Sequence, residues 1–174
     1  MISVCLVDDQ TLVRQGIRSL LELSDSIRVV AEASDGAQAV EVIPRVKPDV
    51  VLLDMRMPNL SGLDVLNALR AKDELPPTII LTTFDDDQMV LAGLKAGARG
   101  YVLKDAPTDE LVLAIETVQA GEAYFSKPIA QIALNQYVAD ADDTKPVAKL
   151  SERERQVLAL IAEGKSNKEI AMHL

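Results

Sequence analysis

Short apolar runs alternate with amphipathic stretches through the first 120 residues, and this alternation constrains the fold more than any other feature of the sequence. Each run is four to six residues long and rich in Val and Ile, which is typical of strands buried on both faces of a parallel sheet. The five runs are Ile2–Val7, Val29–Ala33, Val50–Leu53, Thr78–Leu81 and Gly100–Leu103.

The stretches between the runs carry apolar residues three or four positions apart, a spacing that places them on one face of a helix. Five consecutive βα units predict a doubly wound, five-stranded parallel α/β sheet of the flavodoxin-like order 2-1-3-4-5, with right-handed crossovers. Ligands of such sheets bind at the carboxyl ends of the strands, near the topological switch point. The helical positions are Val13, Ile17 and Leu20; Val90 and Leu94; and Leu111, Ile115 and Val118.

The pattern changes after Gly121, so we predict a first domain over residues 1–120. Residues 121–147 are predicted to be a helical linker, because Pro128 suits the first turn of a helix and the acidic segment 139–146 is turn-prone. Residues 148–174 carry two capping boxes, the first opened by Ser151 and the second by Ser166. Two short helices in this arrangement predict the beginning of an all-α helix-turn-helix module.

The formal charge of −9 is unevenly distributed along the chain. Residues 144–174 hold six basic and four acidic residues, a charge of +2, which leaves −11 for the rest. The single cysteine excludes an intrachain disulfide, and the N-terminus lacks the basic region of a signal peptide. No apolar stretch reaches the roughly 18 residues of a membrane span. We therefore expect a cytoplasmic protein with no membrane partner.

Three carboxylates stand at the ends of two predicted neighbouring strands: Asp8 and Asp9 follow the first, and Asp54 follows the third. Like charges that converge in one crevice require a countercharge, and a hard divalent cation with oxygen preference, Mg²⁺, is the simplest one. The alternative is that the aspartates cap the helices that follow their strands. For Asp9 alone that alternative is as good as the metal site, whereas for all three together it is much weaker.

Two further polar residues, Thr82 and Lys104, follow the fourth and fifth strands. A hydroxyl and an ammonium that face a metal-bound carboxylate form a site for a phosphoryl group, since the cations neutralise the transferring oxygens. Asp54 is the central carboxylate and therefore the natural nucleophile. Taken singly, Lys104 would be a surface residue and Thr82 a strand terminus; the prediction depends on the whole set.

Several motifs carry a family resemblance. VDD at 7–9, LLDMRMP at 52–58 with Gly62 beyond, LTT at 81–83 and GYVLK at 100–104 resemble the receiver domain of two-component response regulators. The segment 150–171 is similar to the start of the LuxR-type helix-turn-helix. Together they resemble the NarL/FixJ class, whose members take a phosphoryl group from a sensor histidine kinase.

The resemblance implies a role for each residue of the acidic pocket. Asp54 would be the phosphoacceptor, and Mg²⁺ would be held by Asp9, Asp54 and the backbone carbonyl of Arg56, with Asp8 reaching it through water. Lys104 would pair with the phosphoryl group, or with Asp54 when that group is absent. Such a protein is not an enzyme in the usual sense, because it catalyses only its own phosphoryl transfer and autodephosphorylation.

The resemblance also implies a switch. The hydroxyl of Thr82 would move to the phosphoryl group while the ring of Tyr101 turns inward, and phosphorylation would favour a homodimer. Without the family pattern, a role as a core or interface aromatic is a credible, though weaker, alternative for Tyr101.

The output of the chain has more than one interpretation. The recognition helix that would enter the major groove is absent from this chain, so we expect specific promoter binding only from a full-length product. A receiver that acts only through protein contacts is the alternative. A phosphatase of the haloacid dehalogenase class is disfavoured, because its D-x-D motif would need an aspartate where Arg56 stands.

Overall fold

The computed structural model describes residues 1–83 and 87–132. Met1–Tyr124 form one compact unit, and the second unit begins at Phe125. The sheet has the strand order β2-β1-β3-β4-β5-β6, and β1 to β5 pair in parallel, so the predicted α/β fold and the order 2-1-3-4-5 are confirmed. The first five strands are β1 (Ile2–Val7), β2 (Ile27–Ala33), β3 (Val50–Asp54), β4 (Thr78–Thr82) and β5 (Gly100–Leu103).

A helix follows each of these five strands, as predicted. Two of the helices begin at side-chain caps: Asp35 accepts the backbone N–H of Gln38 at 2.8 Å, and Ser61 forms a capping box with Asp64. No helix of the described residues is long and apolar enough to cross a membrane. The helices are α1 (Thr11–Leu21), α2 (Gly36–Val46), α3 (Gly62–Ala71), α4 (Asp87–Ala96) and α5 (Thr108–Gln119).

A sixth strand, β6 (Tyr124–Phe125), extends the sheet beyond β5 and was not predicted. The backbone N–H of Tyr124 donates to the carbonyl of Arg99 at 3.0 Å. Two residues are too few to show the alternation or the apolar run that identifies a strand. The segment 121–147, predicted to be a helical linker, therefore contains a strand before its helix.

Residues 127–132 are helical, with Pro128 in the first turn as predicted. The backbone N–H of Ala130 donates to the carbonyl of Ser126 at 3.0 Å. The remainder of the predicted linker, and the whole of the helix-turn-helix segment 148–174, lie outside the described residues.

The core between the sheet and the pair α1 and α5 consists of aliphatic side chains from both layers. Leu111, Ile115 and Val118 are buried on α5, as their spacing predicted. On α1 the prediction was wrong at one position, because Leu20 is 43% exposed while Leu21 is fully buried. The buried face of this helix therefore continues from Ile17 to Leu21, four residues on, and not to Leu20, three residues on.

On the opposite face of the sheet, β5 packs against α4 through Tyr101. The ring is buried, and its hydroxyl donates to the backbone carbonyls of Met89 at 3.0 Å and Val90 at 2.9 Å. This position of the ring requires a glycine on α4, since a Cβ at Gly93 would lie 1.8 Å from the Tyr101 hydroxyl and 2.6 Å from Ile80 Cδ1. Because Gly93 has no Cβ, the Tyr101 hydroxyl can reach the backbone carbonyls of α4.

A double-mutant cycle tests this packing. In the Gly93 background, Tyr101→Phe should lower the free energy of unfolding by about 1 kcal/mol, because its hydrogen bonds to α4 are lost. In the Gly93→Ala background the same change should be neutral or stabilising, because it removes the atom that collides with the new methyl group. Urea unfolding of the four proteins measures the coupling. Equal effects of Tyr101→Phe in both backgrounds would contradict the account.

Candidate functional site

The carboxyl ends of β1 and β3 bring the predicted aspartates together. Val7 of β1 pairs with Leu53 of β3, so the residues that follow them, Asp8 and Asp54, stand side by side. Asp8 is fully buried and Asp54 is 3% exposed. One carboxylate oxygen from each of Asp8, Asp9 and Asp54 lies within 4.8 Å of the other two.

Lys104 supplies a positive charge to two of these carboxylates. Its Nζ lies 2.8 Å from Oδ2 of Asp8 and 2.8 Å from Oδ2 of Asp54, and its side chain is 11% exposed. The residue directly follows β5, where its backbone N–H donates to the carbonyl of Thr82 at 2.8 Å. The end of β4 therefore fixes the backbone from which the ammonium reaches the aspartates.

Backbone donors satisfy only part of the acidic cluster. The N–H of Gln10 donates to Asp8 Oδ1 at 2.8 Å, and the N–H of Arg56 donates to Asp54 Oδ1 at 3.2 Å. Lys104 pairs with the other oxygen, Oδ2, of both carboxylates, whereas Asp9 Oδ1 is buried without a hydrogen-bond partner among the described residues. Three carboxylates share one ammonium, and carboxylate oxygens are the ligands that a hard cation prefers, so the cluster could hold a metal ion.

The electrostatics of the site follow from burial and charge. Burial raises the pKa of Asp54 above its ordinary value, against the opposing effects of the hydrogen bond and charge of Lys104. Burial alone would lower the pKa of Lys104. Its hydrogen bonds and charge interactions with Asp54 and Asp8 outweigh that effect, and the net pKa lies above the ordinary value.

A glycine packs directly behind the central aspartate. A Cβ at Gly62 would lie 2.4 Å from the backbone carbonyl oxygen of Asp54 and 2.9 Å from the Cα of Met55. The N–H of Gly62 donates to the carbonyl of Met55 at 3.1 Å. This contact holds the loop between β3 and α3 against the phosphoacceptor candidate, which explains why a glycine follows the LLDMRMP motif.

Thr82 and Tyr101 do not turn their hydroxyl groups toward the aspartates. Thr82 Oγ1 donates to the carbonyl of Thr83 at 2.9 Å, and Tyr101 bonds to α4 as described above. Burial of the ring raises the pKa of Tyr101 above its ordinary value. The structure thus brings together Asp8, Asp9, Asp54, Lys104 and the backbone of Arg56, while the predicted switch pair faces elsewhere.

The sequence analysis missed Arg14 of α1. Its Nη1 donates to the backbone carbonyl of Asp8 at 2.7 Å. Arg14 and Arg18 are one helical turn apart and therefore lie on the same face of α1. The charge pattern alone does not show which of them contacts the site. Only the position of α1 against β1 shows which of them reaches the pocket.

Comparison with known proteins assigns the family. Residues 4–116 match the response regulator receiver domain, and residues 148–174 match the LuxR family of bacterial regulatory proteins. The chain belongs to the NarL/FixJ class of two-component response regulators.

Relatives of this regulator align over nearly its whole length. It is 44% identical over 168 residues to the nitrate/nitrite response regulator protein NarP of Escherichia coli, covering 97% of this chain and 78% of NarP. It is 40% identical over 179 residues to the oxygen regulatory protein NreC of Staphylococcus aureus, covering 98% of this chain and 82% of NreC.

Solved structures of response regulators share the fold. The regulator matches ChrA, from a heme-sensing two-component system, with a TM-score of 0.67 and 40% identity over 99% of this chain and 80% of ChrA. A LuxR-family response regulator from Aurantimonas sp. SI85-9A1 gives a TM-score of 0.74 and 35% identity over 79% of this chain and 99% of that one.

Removal of the Lys104 ammonium should destabilise the regulator, because the acidic pocket loses its positive charge. We expect Lys104→Met to lower the free energy of unfolding by about 3 kcal/mol at neutral pH, because two buried carboxylates lose their shared countercharge. Lys95→Met, at an exposed position on α4, should stay within about 0.5 kcal/mol of wild type. Urea unfolding in EDTA provides the measurement, and equal effects of the two substitutions would contradict this reading of the site.

Proposed function

We propose that the regulator is switched by Mg²⁺-dependent phosphorylation of Asp54, with a sensor histidine kinase as the phosphoryl donor. The observation that carries this proposal is the convergence of Asp8 and Asp54 on the ammonium of Lys104, with Asp9 beside them. Lys104 lies 2.8 Å from the nearly buried Asp54, so its ammonium can remain paired with the negative charge when Asp54 carries a phosphoryl group.

Asp54 is the proposed nucleophile. One of its carboxylate oxygens forms a bond to phosphorus while the bond from phosphorus to the donor nitrogen of a phosphohistidine breaks, and that nitrogen keeps the electron pair. Lys104 neutralises the oxygens of the transferred group. The product is an acyl phosphate, which water can hydrolyse, so the chain catalyses only its own phosphorylation and dephosphorylation.

Asp8, Asp9 and Asp54 would hold the Mg²⁺, together with the backbone carbonyl of Arg56, and Asp8 would act through water. The donor set fits, because the ligands are oxygens and Asp9 Oδ1 is buried without a hydrogen-bond partner in the described part of the chain. When bound, Mg²⁺ supplies positive charge to the phosphoryl oxygens. Gln10 and Arg56 keep the remaining carboxylate oxygens in place through their backbone N–H groups.

Thr82 and Tyr101 are the proposed switch pair. The Thr82 hydroxyl, which donates to the carbonyl of Thr83 at 2.9 Å, can exchange that bond for one to a phosphoryl oxygen. The Tyr101 ring already lies inward against α4, so the switch would consist of stabilising this position when Thr82 moves. We infer that the phosphorylated form self-associates.

Promoter DNA is the proposed output partner of the full-length product, on the strength of the LuxR-family match at residues 148–174. The basic excess of residues 144–174, +2 against −11 for the rest of the chain, is consistent with contact to phosphates. Two half-sites about one helical turn apart would suit a dimer of this type.

Acetyl phosphate with Mg²⁺ should add one phosphoryl group to Asp54 and raise the mass measured by light scattering. Intact-mass and peptide mapping identify the site. Asp54→Asn should show neither change, and EDTA should prevent both in the wild type. A phosphoryl group found on Asp54→Asn would refute the assignment of Asp54, whereas phosphorylation without association would refute only the dimer.

A further inference from the structure

Arg14 bonds to the acidic pocket through the backbone. Its Nη1 donates to the carbonyl oxygen of Asp8 at 2.7 Å, and its Nε donates to Oε2 of Glu32 at 3.1 Å. The side chain is 14% exposed. A planar guanidinium that is held at two of its donors has a fixed orientation, which a lysine cannot reproduce at both contacts.

The carbonyl that Arg14 holds belongs to the peptide bond between Asp8 and Asp9. The orientation of this peptide plane depends on ψ of Asp8 and φ of Asp9, and therefore sets the direction in which the Asp9 side chain leaves the backbone. The other side of Asp8 is also anchored, because its N–H donates to the carbonyl of Ala33 at 3.2 Å. Both the N–H and the carbonyl of Asp8 are therefore hydrogen-bonded where β1 ends, the carbonyl to Arg14.

Asp9 depends on this backbone fixation more than its neighbours do. Asp8 Oδ1 accepts the N–H of Gln10, and Asp54 Oδ1 accepts the N–H of Arg56. Asp9 Oδ1, in contrast, is buried with no hydrogen-bond partner among residues 1–83 and 87–132. The position of this carboxylate, within 4.8 Å of the other two, therefore depends on the backbone at the peptide that Arg14 contacts.

Glu32 offsets the charge of Arg14. This residue of β2 accepts hydrogen bonds from both Arg14 and Arg18, and its side chain is 25% exposed. Arg14 therefore already has a carboxylate partner outside the pocket. Its contact with Asp8 is to a neutral carbonyl, not to one of the carboxylates that would hold the metal.

We infer that Arg14 is a positioning residue of the proposed Mg²⁺ site, acting on Asp9 through the Asp8 carbonyl. The inference rests on the proposed function, because it assumes that the acidic cluster binds Mg²⁺. Groups that orient metal ligands from outside the ligand set commonly contribute about tenfold or more to metal affinity.

Charge and geometry make opposite predictions for Arg14. If the guanidinium acted only as a cation near the site, its removal would relieve repulsion of Mg²⁺ and tighten binding. If it positions Asp9, its removal loosens the peptide and weakens binding. The sign of the change in Mg²⁺ affinity therefore separates the two roles.

Arg18 provides a matched control on the same helix. It also bonds to Glu32 and forms a second ion pair with Glu22 at 2.8 Å, but its side chain is 46% exposed. Among the described residues, its hydrogen bonds and ion pairs are to Glu22 and Glu32 and do not involve Asp8 or Asp9. Arg18→Met therefore removes the same charge and a contact to the same glutamate without releasing the Asp8 carbonyl.

The test is calorimetric titration of Mg²⁺ into the full chain at constant ionic strength, for the wild type, Arg14→Met, Arg14→Lys and Arg18→Met, with circular dichroism to confirm folding. We expect Arg14→Met to raise the Kd about tenfold and Arg18→Met to stay within about twofold of wild type. Arg14→Lys should show a smaller loss than Arg14→Met, since an ammonium can still donate to the Asp8 carbonyl.

Mg²⁺ binding by Arg14→Met that equals or exceeds that of Arg18→Met would overturn the inference. If Arg14→Met does not fold, Arg14→Lys decides in its place: a Kd raised above that of Arg18→Met supports the positioning role, and an equal or lower Kd refutes it. A wild-type chain that binds no Mg²⁺ would instead refute the proposed metal site, and with it this inference, so the two failures are distinguishable.

Discussion

The pairing of Asp8 and Asp54 with one ammonium, that of Lys104, is the interaction on which the rest of the structure depends. Carboxylates that are almost fully removed from water cost several kcal/mol each unless a charge of opposite sign and hydrogen bonds compensate them. Lys104 supplies that charge at 2.8 Å from both oxygens. Asp9 adds a third carboxylate without adding a cation, so the pocket retains a negative excess that suits a divalent ion.

The parallel sheet supplies the geometry for this arrangement. Neighbouring parallel strands end at the same edge, so β1, β3 and β5 deliver Asp8, Asp54 and Lys104 to one place from distant parts of the sequence. The contacts that complete the site fix backbone groups: the Thr82 carbonyl accepts the N–H of Lys104, Gly62 packs against the Asp54 carbonyl, and the Arg14 guanidinium donates to the Asp8 carbonyl.

Much of the sheet and of the acidic site could be predicted from the sequence, because the carboxyl ends of neighbouring parallel strands lie at the same edge of a sheet. The strands β1 to β5 and the acidic cluster followed from periodicity and position. Three features did not. The strand β6 is too short to produce a pattern, the contact of Arg14 depends on the packing of a helix against a strand, and the inward ring of Tyr101 depends on space left by Gly93 on another element. Each depends on tertiary packing, which local spacing does not encode.

The most direct test of the central claim is the dependence of stability on Mg²⁺. A ligand that binds only the folded state should raise the free energy of unfolding by about 1.4 kcal/mol at ten times its Kd. We predict that MgCl₂ stabilises the wild type by this amount beyond NaCl of equal ionic strength, and that Asp9→Asn loses most of the difference. Equal stabilisation by the two salts, or an undiminished Mg²⁺ effect in Asp9→Asn, would contradict the account.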